Sequence, residues 1–366
     1  VATAGPSSLS GQLAVPAGTP KSPRALAWER FRRKKLAMAS LCIIVTFYVC
    51  GILAAVLAPH SYREQNLDNT EQAAWLSQPY CAVISMVDST YRPPKVAPST
   101  DHLLGTDRAG RDLLSRILFG MRTSVIVSLA SILTGSVFLG VTLGALSGFL
   151  GGKVDSVIMR VGEVFLAFPG LLLVILISAT VRDRVQTWAE NFELTTGFKG
   201  LVESGFIDYV VVFGAMSVFG WVGVARVIRG QILQVREMDY ITAAIALGGT
   251  TRRIILTHVL PNTTNIIIYM LSIGLGAAIG SELILSWMGV GIKTPTPSLG
   301  VMIYESQGQT AFLDQISCRK PPLFLAPVLL VTLMTFAFAL LGDGLIDALN
   351  PRSRDSVSGA KDAALE

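Results

Sequence analysis

Charge is what this sequence has least of. Only 15% of its 366 residues are Asp, Glu, Lys or Arg, where soluble domains carry roughly a quarter, and 51% are hydrophobic. So few charges cannot clothe a water-exposed surface, and the mean hydropathy of +0.55 marks an integral membrane protein. Other absences narrow the chemistry. There is no G-x4-G-K-[ST] run. The chain therefore has no loop to cradle ATP phosphates, and any energy must come from a partner. No C-x-x-C pair occurs, and the three histidines, His60, His102 and His258, are scattered along the sequence, so no metal site is expected. The apolar runs hold no histidine and no G-x-S-x-G is present, which argues against an intramembrane enzyme. The net charge of +5 is largely juxtamembrane and suits anionic headgroups, so a nucleic-acid role is not needed to explain it.

What is present is a set of long uncharged runs. A helix crosses the roughly 30 Å hydrocarbon core with about 20 residues. Six runs approach that size: Leu36 to Ala58, Thr123 to Leu150, Val164 to Thr180, Tyr209 to Ala225, Thr263 to Trp287 and Leu323 to Leu341. The basic cluster Arg30, Arg32, Arg33, Lys34 and Lys35 before the first run places the N-terminus in the cytoplasm. Six spans then return the C-terminus there, and put Arg226, Arg229, Arg236, Arg252 and Arg253 inside. The expected organisation is a disordered cytoplasmic tail over 1–27, a basic anchor and first span over 28–58 and an outside loop over 59–122. A core of five spans follows over 123–350, with a cytoplasmic loop at 232–262, and then a cytoplasmic tail over 351–366.

Two polar segments interrupt the apolar pattern. The first, inside, runs from Asp239 to Pro261. Ala and Leu favour a helix from Asp239 and Tyr240 through Ala243 and Ala244 to Leu247, Gly248 and Gly249 break it, Arg252 and Arg253 open a second amphipathic turn that runs to His258, and Leu260 and Pro261 close the segment. Small residues on such an insert allow another surface to approach closely, so it reads as a docking element. The second, outside, places acid and base at i and i+4 twice, Asp107 with Arg111 and Asp112 with Arg116. Leu113, Leu114, Ile117, Leu118 and Met121 fall on the other side. This predicts an amphipathic helix over Gly110 to Met121, lying along the membrane surface and available to an outside partner.

Within the spans, Ser136, Gly140, Gly144 and Gly148 recur every four positions, as do Ser272, Gly276 and Gly280, which predicts close helix pairs within or between subunits. Pro169 predicts a kink in the third span. Glu282 has two readings, a side chain snorkelling to the outer interface or a gate in a pore. Glu163, nearer the cytoplasmic face, is expected in a pair with Arg160 or with another subunit's cation, and Asp343 and Asp347 with arginines such as Arg352. Cys42 and Cys50 lie eight residues apart on one helix, about 12 Å of rise and too far to bond. Cys81 and Cys318 share the outside compartment, and a disulfide joins them only if their Cα atoms come within about 7 Å.

Taken in order, several stretches resemble the C-type permease subunit of bacterial dipeptide, oligopeptide and nickel ABC importers. They are FRRKKLAM, HLLGTDRAGRDLLSR with Gly120 and Arg122, DSVIMRVGEVFLAFPGLLL, the polar insert ending HVLPN, Glu282 with WMGVGIKTPTPSLGVMI, and LGDGLIDALNPR. The insert is similar to the EAA loop of such permeases at Ala243, Ala244, Gly248, Leu260 and Pro261, with Thr242 at the Glu position and His258 at the Ile position. The resemblance implies an all-α type I importer domain of six transmembrane helices in the bacterial inner membrane. It implies a second permease subunit, two ATPase subunits that carry ATP and Mg, an outside solute-binding protein, and a coupling helix seated on an ATPase. Peptide is the expected solute over nickel, because the spans offer no His ligand. A proton-coupled secondary transporter using Glu163 and Glu282 is the competing reading.

Overall fold

The computed structural model describes residues 23–64, 102–107, 109–197, 200–201, 204–306 and 323–349. They are almost wholly helical. Helix α1 (Pro23–Arg33) leads into α2 (Lys35–Ile52) and the short α3 (Ala54–Leu57). Helix α4 (Leu113–Ser131) continues through a π-helical stretch (Ile132–Val141) into α5 (Thr142–Leu150). Then come α6 (Gly152–Leu166), α7 (Gly170–Thr196), α8 (Phe206–Arg236), α9 (Asp239–Ala246) and α10 (Thr251–Ile254). A second π stretch (Ile255–Val259) enters α11 (Leu260–Trp287), followed by α12 (Leu299–Glu305) and α13 (Leu325–Leu349).

Five of the described segments are long and apolar enough to cross a membrane: Lys35–Ile52, Leu113–Leu150, Phe206–Arg236, Thr251–Trp287 and Leu325–Leu349. A sixth exists only if α6 and α7 count together, and these meet at 85°. The kink expected at Pro169 is therefore a break. Pro169 has no N–H to give the helix and disfavours helical geometry at the residue before it, and it stands in extended conformation as the N-cap of α7. Helix α7 runs on to Thr196, well past the end expected at Thr180, and there Trp188 stacks against Phe192 at 5.6 Å.

The larger correction concerns the amphipathic helix. Residues from Leu113 onward are the first turns of the second span, which begins there rather than at Thr123. Their charged partners are buried in pairs, not spread on water, so the helix needs no aqueous face.

Two ends of the bundle can be told apart. At one, Thr123 meets Tyr209 and the carbonyl of Pro297. At the other, Arg229 holds Asp155 and Lys34 pairs with Asp347; Arg352, the partner expected for Asp343 and Asp347, lies outside the described residues. The small-residue ridge of the second span joins these ends along α8 within one chain. A Cβ on Gly140 would lie 2.8 Å from that of Val224, and one on Gly144 only 2.7 Å from the carbonyl of Ala225. No larger residue permits that approach.

Candidate functional site

The polar insert lies at the Arg229 end. Helix α8 stops at Arg236, and α9 starts at Asp239, whose carboxylate suits the positive end of the helix dipole. Ile241, with Ala244 beside it, packs α9 down. Ile241 is fully buried and packs in one cluster with Ile228, Ile232, Ile254 and Val259. The other side stays open: Tyr240, Ala243 and Gly248 are exposed, Ala244 is half-buried, and Leu247 is 89% exposed. Gly248 takes φ +80°, a left-handed geometry that costs any side chain about 1 to 2 kcal/mol, and this ends α9. Gly249 then donates to the carbonyl of Ala244. Arg252 and Arg253 are exposed on α10.

Pro261 cannot donate to the turn before it, and the backbone widens into the π stretch at Ile255–Val259 just ahead of it. Leu260 is half-buried there and Pro261 exposed. The amide of Asn262 donates to the Tyr240 hydroxyl at 3.1 Å and to the His258 carbonyl at 2.7 Å. Both halves of the insert are thus tied together, and the expected helix, glycine break and second turn all occur.

The opposite end carries a compact charge cluster. Asp107 accepts from Nε of Arg111 at 2.7 Å, as the i, i+4 spacing predicts. It also accepts from Arg116. Asp112 does not pair with Arg116. Its Oδ2 caps α4 by accepting from the Ser115 amide at 2.7 Å, and its Oδ1 lies 3.0 Å from Nδ1 of His102. Arg116, 1% exposed, reaches Glu305 at 2.6 Å, and Arg111 reaches the same carboxylate at 3.0 Å. Burial alone would depress the Arg111 guanidinium, but Asp107 and Glu305 hold its pKa above the ordinary value. The four outside residues expected to face a partner are therefore brought together, but mostly buried. Glu305 was missed, since nothing in its neighbourhood marks it as a partner for charges so distant in sequence.

Glu282 is fully buried. It accepts from Ser124 at 3.0 Å and Ser286 at 2.9 Å, joining the second span to α11. It neither snorkels nor lines the cavity of about 460 Å³ among α4, α7, α8 and α11, whose walls include Ser131, Ser136, Met216, Phe219, Met270 and Ser281. Glu163 is exposed on α6 and makes no ion pair with Arg160 or any other described residue. A further pair was not foreseen: Arg182 meets Asp208 and donates to the Gly291 carbonyl, fastening α7 and α8 to the turn after α11. Cys81 and Cys318 lie outside the described residues. Two of the histidines expected to be scattered come together, the rings of His60 and His102 standing 4.7 Å apart.

These features define an all-helical membrane protein with an exposed polar insert between two apolar helices. Comparison with known proteins gives its class. Residues 140–355 match the family of binding-protein-dependent transport system inner membrane components, and residues 22–79 match the N-terminal TM domain of oligopeptide transport permease C. The chain is 35% identical over 328 residues to the dipeptide transport system permease protein DppC of Bacillus subtilis, covering 90% of this chain and 85% of that protein. It is 31% identical to the oligopeptide transport system permease protein OppC of the same organism, over 90% and 89%. It is 30% identical to the glutathione transport system permease protein GsiD of Pectobacterium atrosepticum, over 91% and 92%. The chain belongs to the binding-protein-dependent transport permease family.

Proposed function

We propose that this chain is one of two permease subunits of an ATP-driven importer in the bacterial inner membrane, forming half of the pathway for small peptides. A solute-binding protein delivers the peptide on the outside. ATPase subunits, not this chain, bind ATP and Mg. The peptide class follows from the relatives, whose names specify dipeptide, oligopeptide and glutathione transport, and glutathione is itself a peptide. The Arg229 end is cytoplasmic by the positive-inside rule, given the basic cluster before α2 and the arginines of the insert.

One observation carries the reading: α9 buries only Ile241 fully and leaves Leu247, at its C-terminal end, open to another surface. An apolar side chain so exposed at the cytoplasmic end of a permease suits a groove on an ATPase subunit. Nucleotide-driven closure would push α9, and the buried contact of Ile241 with α8 passes the displacement to the spans as a switch between two rigid arrangements. The test is Leu247→Asp in the assembled transporter. It should leave the chain in the membrane and abolish peptide-stimulated ATP hydrolysis; undiminished stimulation would refute the docking role.

A further inference from the structure

Two of the three histidines meet a buried carboxylate where the chain enters the second span. His60 follows the end of α3 and is held over the first turn of α4 by its backbone amide, which donates to the Ser115 hydroxyl at 3.1 Å. His102 and Asp112 are both buried. One nitrogen from each imidazole and one oxygen of Asp112 lie within 4.8 Å of one another, and the His102 to Asp112 separation is 3.0 Å.

We propose that His60, His102 and Asp112 bind a divalent transition metal of the zinc class. Zinc holds imidazole nitrogen and carboxylate oxygen at about 2.0 to 2.2 Å, which sets neighbouring ligands about 3 to 3.5 Å apart by geometry. The His102 and Asp112 atoms already have that spacing. The ligand atoms lie within 4.8 Å of one another, so His60 needs a shift of about an ångström to complete the set. The outer shell is in place as well: the Ser115 amide holds Oδ2 of Asp112, which turns Oδ1 toward the imidazoles. Two neutral imidazoles and one carboxylate suit zinc, copper or nickel better than calcium or magnesium. Three protein ligands leave a fourth position for water. Bound there, it gathers both ends of the 61–101 segment onto the start of α4. The competing account is a His102 to Asp112 hydrogen bond with His60 merely packed beside it.

The experiment uses the full chain in detergent, freed of any histidine tag and stripped with chelator, titrated with Zn2+ against a chromophoric competitor. One tight zinc per chain is expected. His60→Ala and His102→Ala should each weaken it at least about tenfold, while His258→Ala, on the remote insert, leaves it unchanged. Absence of zinc binding, or affinities in the first two variants equal to that of the third, would overturn the site. Should either variant fail to fold, Co2+ loaded into the unaltered chain decides. Intense visible bands of a four-coordinate nitrogen and oxygen site support the proposal, and the weak spectrum of six-coordinate cobalt contradicts it.

Discussion

Arg116, in the first turn of the second span, lies 2.6 Å from Glu305 at the end of α12 and is almost wholly removed from solvent. The same guanidinium meets Asp107, and Arg111 contacts both carboxylates as well, so two cations offset two acids from separate stretches of chain. A buried pair gives little net stability, but removing one partner strands the others and costs about 3 to 5 kcal/mol. Arg116→Ala should therefore lower the denaturation midpoint in detergent steeply. A variant with an unshifted midpoint would show that the cluster does not hold this end together.

The glycines of the second span separate contact from propensity. In Gly144→Ala the new methyl would lie 2.7 Å from the Ala225 carbonyl, and overpacking of this kind costs about 1 to 3 kcal/mol. Gly214 on α8 has nothing within 4 Å of its would-be Cβ, so Gly214→Ala should be neutral or gain up to about 1 kcal/mol from helix propensity. Thermal melting of the two variants side by side checks the sign of each.

Glu282 offers a choice between structure and gating. Glu282→Leu leaves the hydroxyls of Ser124 and Ser286 without their acceptor and should cost about 1 to 3 kcal/mol. Glu282→Gln retains an acceptor and should both fold and transport. A glutamine variant that assembles normally yet carries no peptide would restore the gate.

The topology can be probed at two exposed side chains. Cysteines replacing Leu103 and Leu247, both exposed, should react with an impermeant thiol reagent from opposite faces of the membrane, Leu103 from outside. Labelling of both from one face would overturn the assignment of ends.

How legible each part was follows from the range of the forces involved. Apolar runs and the glycine pair Gly248 and Gly249 act through neighbours in sequence, so five spans and the insert were readable, but most span ends were not: the second span starts at Leu113, not Thr123, and α8 runs to Arg236, not Ala225. Pro169 announced a disruption, but its 85° depth depends on what α6 and α7 pack against. The outer helix misled for a definite reason. Charges at i and i+4 signal a wet face only when nothing distant pairs with them, and Glu305 and His102 do so here. The meeting of His60 with His102 was hidden likewise, since the 61–101 segment separates them in sequence.

The central claim is that α9 seats on an ATPase subunit. A photo-crosslinking amino acid at position 247, in the assembled transporter in native membranes, tests it most directly. The account predicts a strong adduct with the ATPase subunit whose yield changes when nucleotide is added. Adducts confined to lipid or to the other permease subunit, with none to the ATPase, would contradict it.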